Sequence, residues 1–276
     1  MLKDDSRIQL DLISYLNVNK ILLGSKELEY TRELNAVFVD FPQLLKRNSV
    51  YSVDFYYSGY PRQTKGFGGL AFREDPSGHH WITTACQGSG AMVWWPNKEQ
   101  WRDEVENMRL SVSIPSDLVD VSNGRLLGKA DLGDGYTRWD WIIHYPINNY
   151  CVSLNIGNYV HFSDALNDLT LDFYCLPKHL EKAKRQFAQA KPMLQCYQKF
   201  FGDYPFKKDG YKLIEVPYSG MEHQSAVTYG NRFANGYLER DWTGVGISLK
   251  FDFIIIHESA HEWFGNSITA ADRCDM

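Results

Sequence analysis

The sequence predicts a mostly antiparallel β domain, a sandwich or curved sheet, over residues 1–177, followed by the opening of an α/β domain over residues 178–276. Three observations carry this. Apolar and polar residues alternate at period two in several stretches of the first part, the pattern of strands with one buried and one wetter face. Turn signals separate those stretches. At Pro177 the period changes to that of a helix.

Taken in order, Ile8, Leu10 and Leu12 alternate with Gln9 and Asp11, and Tyr51, Val53, Phe55 and Tyr57 alternate with Ser52 and Asp54. Met108, Leu110, Val112 and Ile114 alternate with Asn107, Arg109, Ser111 and Ser113, and Leu169, Leu171, Phe173 and Cys175 with Asp168, Thr170 and Asp172. Ser122-Asn123-Gly124 and Gly133-Asp134-Gly135 read as turns. From Leu180 the apolar residues Ala183, Phe187, Ala190, Leu194, Tyr197 and Phe201 fall on one helical stripe, which Pro192 should kink or break and Gly202 should end. A strand is expected at Tyr211–Val216. A second helix is expected from about Asp241–Gly244 to Gly265-Asn266.

Composition excludes several classes. With 29 Lys plus Arg against 34 Asp plus Glu, the net charge is −5, which argues against a dedicated nucleic-acid binder. The 44% apolar and 23% charged residues are those of a globular protein, not of a disordered chain or a fibre. No apolar run is long enough for a membrane-spanning helix, and the polar start, Met1-Leu2-Lys3-Asp4-Asp5-Ser6, does not resemble a secretion signal. The five cysteines are widely spaced with no CxxC pair, so they are expected to be free thiols. Compartment and oligomeric state leave no trace.

The chemistry is concentrated in His257-Glu258-Ser259-Ala260-His261, an HExxH motif preceded by the apolar run Phe251–Ile256. On a helix, positions i and i+4 share a face, so both imidazoles can meet one metal ion. Glu258 lies about 100° round the helix from His257 and can sit beside the metal as a proton acceptor without ligating it. A catalytic zinc site needs three protein ligands plus water. The extended motif HExxHxxGxxH is absent, and Asp272 and Asp275, although near, have no recognised ligand spacing.

These residues resemble the zinc aminopeptidases of the gluzincin type, typified by aminopeptidase N and leukotriene hydrolase. His257–His261 continues as Glu262-Trp263-Phe264-Gly265-Asn266, similar to the family's sequence at this point. Upstream, Ser219-Gly220-Met221-Glu222-His223 resembles the family's GxMEN motif, and Tyr204-Pro205-Phe206 before the strand fits the same pattern. The resemblance implies a saddle-like β domain followed by a thermolysin-like metallopeptidase domain. It implies one Zn2+ ion held by His257 and His261, with Glu258 as general base. It implies that Glu222 holds the free α-ammonium of a peptide substrate, that Gly220 and Met221 line the substrate backbone, and that Gln87 lines the first side-chain pocket. The family's third ligand, a Glu 19 positions after the last His of the HExxH motif, falls beyond Met276, so a chain of this extent is expected to be nearly inactive and to hold zinc weakly. The first strands of the β domain are also expected to be missing. Two positions depart from the motif: Ser219 stands for its first Gly and His223 for its Asn. The competing functions are a zinc endopeptidase, which has no need of Glu222, and a non-catalytic β-rich binding protein with a degenerate zinc site.

Overall fold

A computed structural model describes residues 3–62 and 68–272. The described residues up to Cys175 are mostly strands, turns and short connections, and no α-helix occurs among the described residues before Leu180. The strand Ala36–Leu45 lies between Asp5–Asp11 and Glu29–Glu33, and Asn17–Leu23 lies between Lys26–Glu27 and Asp54–Ser58, all antiparallel. Val37, Val39 and Phe41, at period two on the central strand, are buried with Leu12, Leu16, Ile21 and Leu28. The strand thus has one core-facing row, which sets its register.

Two further antiparallel sheets follow. One has the order Val119–Ser122, Leu154–Gly157, His80–Ala85, Gly69–Glu74; the other has the order Arg125–Asp131, Tyr136–Ile143, Met108–Pro115. The alternation read at Met108–Pro115 is observed: Arg109, Ser111 and Ser113 are exposed while Leu110, Val112 and Ile114 turn inward. Gly133-Asp134-Gly135 joins two antiparallel strands and Ser122-Asn123-Gly124 links one sheet to the other, with Gly124 and Gly133 in the left-handed region (φ 75° and 76°) that favours glycine.

The last sheet is mixed and five-stranded, in the order Val160–Leu166, Leu169–Cys175, Tyr211–Glu215, Val227–Tyr229, Gly220–Met221. Tyr211–Glu215 is parallel to both of its neighbours and buried along its whole length, as a strand covered on both faces must be. Helices α1 (Leu180–Phe187), α2 (Ala190–Phe201) and α3 (Phe253–Ala260) pack on this sheet through Phe187, Leu194, Ile254 and Ile255. Residue 177 therefore marks the onset of helices inside one continuous sheet, which takes strands from both sides of it. Gly220–Met221 is the sheet's edge, with no strand paired on its outer side among the described residues.

Three helix boundaries differ from expectation. The break in the first stripe falls at residues 188–189, ahead of Pro192, which sits in the first turn of α2, where a missing N–H costs nothing. The second helix begins at Phe253, not near Asp241. Residues 241–248 form a loop tied by the Asp241 carboxylate, which accepts from Ser248 Oγ (2.6 Å), Thr243 Oγ1 (2.6 Å) and Gly246 N (2.6 Å). The helix ends at Ala260, and residues 261–268 run on as turns. Cys86, Cys151, Cys175 and Cys196 are free thiols. Among the described residues no helix is long and apolar enough to cross a membrane.

Candidate metal and substrate site

Helix α3 starts where it does because Asp252 caps it. Its Oδ1 accepts from Ile254 N (3.0 Å) and Ile255 N (3.3 Å), two of the donors a helix start leaves unpaired. Tyr229 (2.7 Å), Asn231 (2.9 Å) and Gln186 (2.6 Å) donate to the same carboxylate. The cap locks the helix to the sheet, and Ile254 and Ile255 bury one of its faces. His257 and His261, one turn apart, are left exposed and half-buried respectively.

The two imidazoles meet edge to face, with centroids 4.9 Å apart. Ligand atoms of His257, Glu258 and His261 all lie within 4.8 Å of one another. His261 Nδ1–H donates to the Phe264 carbonyl at 2.9 Å, which leaves the Nε2 lone pair for a cation. His257 is exposed and stacks on Phe253 (5.3 Å, 16°). Its pKa is held below the ordinary imidazole value by the surrounding protein and then by His261, which keeps it in the neutral, ligating form. Two neutral imidazoles on one turn, one of them oriented through its far nitrogen, fit a divalent metal such as zinc. Among the described residues no further metal-binding side chain joins this group. Asp272 instead lines a separate cleft with Glu99 and Trp101, and Asp275 lies outside the described residues.

Glu258 is 6% exposed. Burial, and then the Glu222 carboxylate, push its pKa well above the carboxylate range. The Gly220–Met221 edge passes directly over it: a Cβ on Gly220 would stand 2.8 Å from Glu258 Oε1 and 2.8 Å from Ile254 Cγ2. Only glycine lets the edge strand lie this close. Met221 is buried, paired opposite Thr228.

Glu222 lies near His257 and Glu258 and acts on both through its charge. Its Oε1 accepts from Gln87 Nε2 at 2.8 Å, so the structure brings together two residues 135 positions apart. Tyr150 OH donates to the same oxygen at 3.0 Å, and Asn266 Nδ2 holds the Glu222 carbonyl at 2.8 Å. Neither the role of Tyr150 nor that of Asn266 follows from the sequence; the run ending in Asn266 was the only signal. Glu262 supports the same region. Fully buried, it accepts from Tyr204 OH (2.6 Å) and Ser225 N (3.0 Å), and burial raises it to about 7.

His223, at the motif's Asn position, is fully buried, and neither ring nitrogen has a hydrogen-bond partner among the described residues. Burial lowers its pKa to about 3 from 6.5. A group whose folded pKa is depressed binds more protons unfolded, so stability is present above 6.5 and is lost as pH falls toward 3. His223→Asn removes this liability. Relative to the parent, the variant's unfolding free energy should rise by about 3 kcal/mol between pH 7 and pH 4.5. Parallel denaturant curves at both pH values would count against the buried neutral imidazole.

The fold is similar to that of solved metallopeptidases. A crystal structure of an M1 zinc metallopeptidase from Deinococcus radiodurans superposes with a TM-score of 0.74 at 18% identity, over 98% of this chain and 59% of that one. This chain has the fold of the M1 zinc metallopeptidases. Its sequence is similar to a leucyl aminopeptidase of Saccharolobus solfataricus, 21% identical over 98% of this chain and 33% of the relative. It is similar to a probable aminopeptidase 2 of Sulfurisphaera tokodaii, 23% identical over 97% and 33%. Endoplasmic reticulum aminopeptidase 1 of Mus musculus matches at 25% over 54% of this chain and 16% of its own length. The chain thus spans about a third of the length of these archaeal relatives. No family model matches it.

Proposed function

We propose that the chain forms the substrate-anchoring part of a zinc aminopeptidase that removes N-terminal residues from peptides. The observation that carries this is the Glu222 carboxylate, held by Gln87 on a strand edge beside the HExxH helix. A carboxylate fixed there offers a bound α-ammonium its charge partner and so makes the enzyme count one residue from a free N-terminus. His257 and His261 would hold zinc together with a third protein ligand. The ion, when bound, would supply a Lewis acid that polarises the scissile carbonyl and makes water a nucleophile near neutral pH.

The chain's own residues do the rest. The outer side of the Gly220–Met221 edge, on which no strand is paired among the described residues, offers itself to an extended substrate backbone, as strand addition does elsewhere. Glu258, beneath that edge, takes the proton of the attacking water and passes it to the leaving amine. A peptide with a free N-terminus is the substrate this arrangement selects.

Glu222→Ala in the full-length protein tests the reading. Loss of a buried charge partner is worth roughly 2–5 kcal/mol, so kcat/KM on aminoacyl anilides should fall about a hundredfold, with N-acetylated peptides little affected. Equal losses on both substrates would favour an endopeptidase. A purified protein without zinc by elemental analysis would favour the binding-protein alternative.

A further inference from the structure

Glu222 has a second holder that neither motif contains. Tyr150 sits in the short 3-10 turn Asn149–Cys151, 72 positions before Glu222, and is 3% exposed. Its ring is stacked on Trp101 at 5.0 Å and 29°, and its backbone N–H donates to Asn148 Oδ1 at 3.4 Å. Ring and backbone are therefore both fixed, and the hydroxyl has a fixed place from which to donate. Burial, reinforced by Cys151 and Glu222, holds that hydroxyl well above its ordinary pKa, so it remains a donor throughout the working range.

The two donors converge on one atom. Tyr150 OH and Gln87 Nε2 both reach Oε1, at 3.0 and 2.8 Å, while no donor among the described residues reaches Oε2. A carboxylate so held has lost its rotation about the last side-chain bond, and one oxygen is left for an incoming cation. The carbonyl of the same residue is pinned by Asn266, whose side-chain oxygen lies 3.3 Å from the Cys151 thiol, next to Tyr150.

We propose that Tyr150 is a positioning residue that holds the amine-binding carboxylate of Glu222 with one oxygen turned to the substrate, and that Trp101 in turn holds Tyr150. This rests on the aminopeptidase reading of Glu222. Gln87 alone would leave the carboxylate hinged on a single hydrogen bond. With Tyr150 the distance from the ammonium site to the scissile bond becomes fixed.

The test uses the full-length, zinc-loaded protein in a Glu258→Gln background, which cannot turn ligand over. Binding of L-leucinamide is compared with that of N-acetyl-L-leucinamide by calorimetry. Tyr150→Phe keeps the ring and its stacking but removes the donor. The preference for the free amine should fall about tenfold, with the acetylated ligand unchanged. In the Glu258 protein the same substitution should raise KM for a leucyl anilide about tenfold and leave kcat within about threefold. A preference within twofold of the parent, or an equal loss on both ligands, overturns the positioning role while the reading of Glu222 stands. A parent protein with no preference for the free amine overturns that reading, and this one with it. Should Tyr150→Phe prove too unstable to measure, Trp101→Leu keeps the hydroxyl but removes its support; a two- to threefold loss of preference is expected, and none would overturn the proposal.

Discussion

Glu258→Gln should lower hydrolysis of aminoacyl anilides by the full-length protein about a thousandfold or more, the upper range for loss of a general base, and leave its zinc content unchanged. Gln has the shape of Glu but cannot accept and return a proton. The group is buried, so no solvent carboxylate can take its place. The two imidazoles and the Phe264 carbonyl that orients His261 stay as they were. Stability should not suffer either. Burial and Glu222 raise the folded pKa of Glu258, so in the protein alone the carboxyl costs stability as pH rises from the unfolded value through the folded one. A neutral amide removes that cost. Thermal midpoints at pH 6 and pH 8, elemental analysis and kcat/KM form one experiment. More than a tenth of the parent's activity in the variant would remove Glu258 from the chemistry. Lost zinc would mean that the residue ligates.

The sequence makes this part of the site legible because the motif is local: a four-residue interval on a helix places two imidazoles together whatever the rest of the fold does. Strands with one wet face are legible for the same reason, as at Met108–Pro115. The start of α3 lies later than the expected Asp241–Gly244, and its signal is Asp252 followed by an apolar run, a cap. The Gly244 and Gly246 positions, both at positive φ, and the Asp241 hydrogen bonds win over helix there. What no local pattern contains is the hold on Glu222, which joins residues 135, 72 and 44 positions apart. Those contacts are set by how the β region and the mixed sheet pack, and nothing in Tyr150 or its neighbours announces them. The resemblance supplied Gln87 and Glu222; the structure adds Tyr150 and a role for Asn266. His223 is intermediate: its departure from the motif is plain in the sequence, its complete burial is not.

Gly220→Ala should be the most damaging change of a single methyl group. A Gly→Ala change at a compatible backbone position stabilises by about 0.4–1 kcal/mol through the unfolded state, and Gly220 does not occupy the left-handed region. The sign is decided by contact: the new methyl would stand 2.8 Å from Glu258 Oε1 and from Ile254 Cγ2. Overpacking of this kind costs about 1–3 kcal/mol, which exceeds the entropic gain. The net effect should be a lower unfolding midpoint. The functional loss should be larger, because relief comes by moving either the edge strand or Glu258. A misplacement of about 1 Å can cost a hundredfold in rate. Gly128→Ala is the control, since a Cβ there meets nothing within 4 Å; it should leave activity unchanged and should not lower the unfolding midpoint. Adding Ile254→Ala to Gly220→Ala separates the two contacts. That second change removes the aliphatic clash and leaves the one with Glu258, so any steric relief should appear in stability, set against the cavity it opens, while activity stays low. Full recovery of activity in the double variant would show that Gly220 serves the packing of α3 and not the approach of substrate and base.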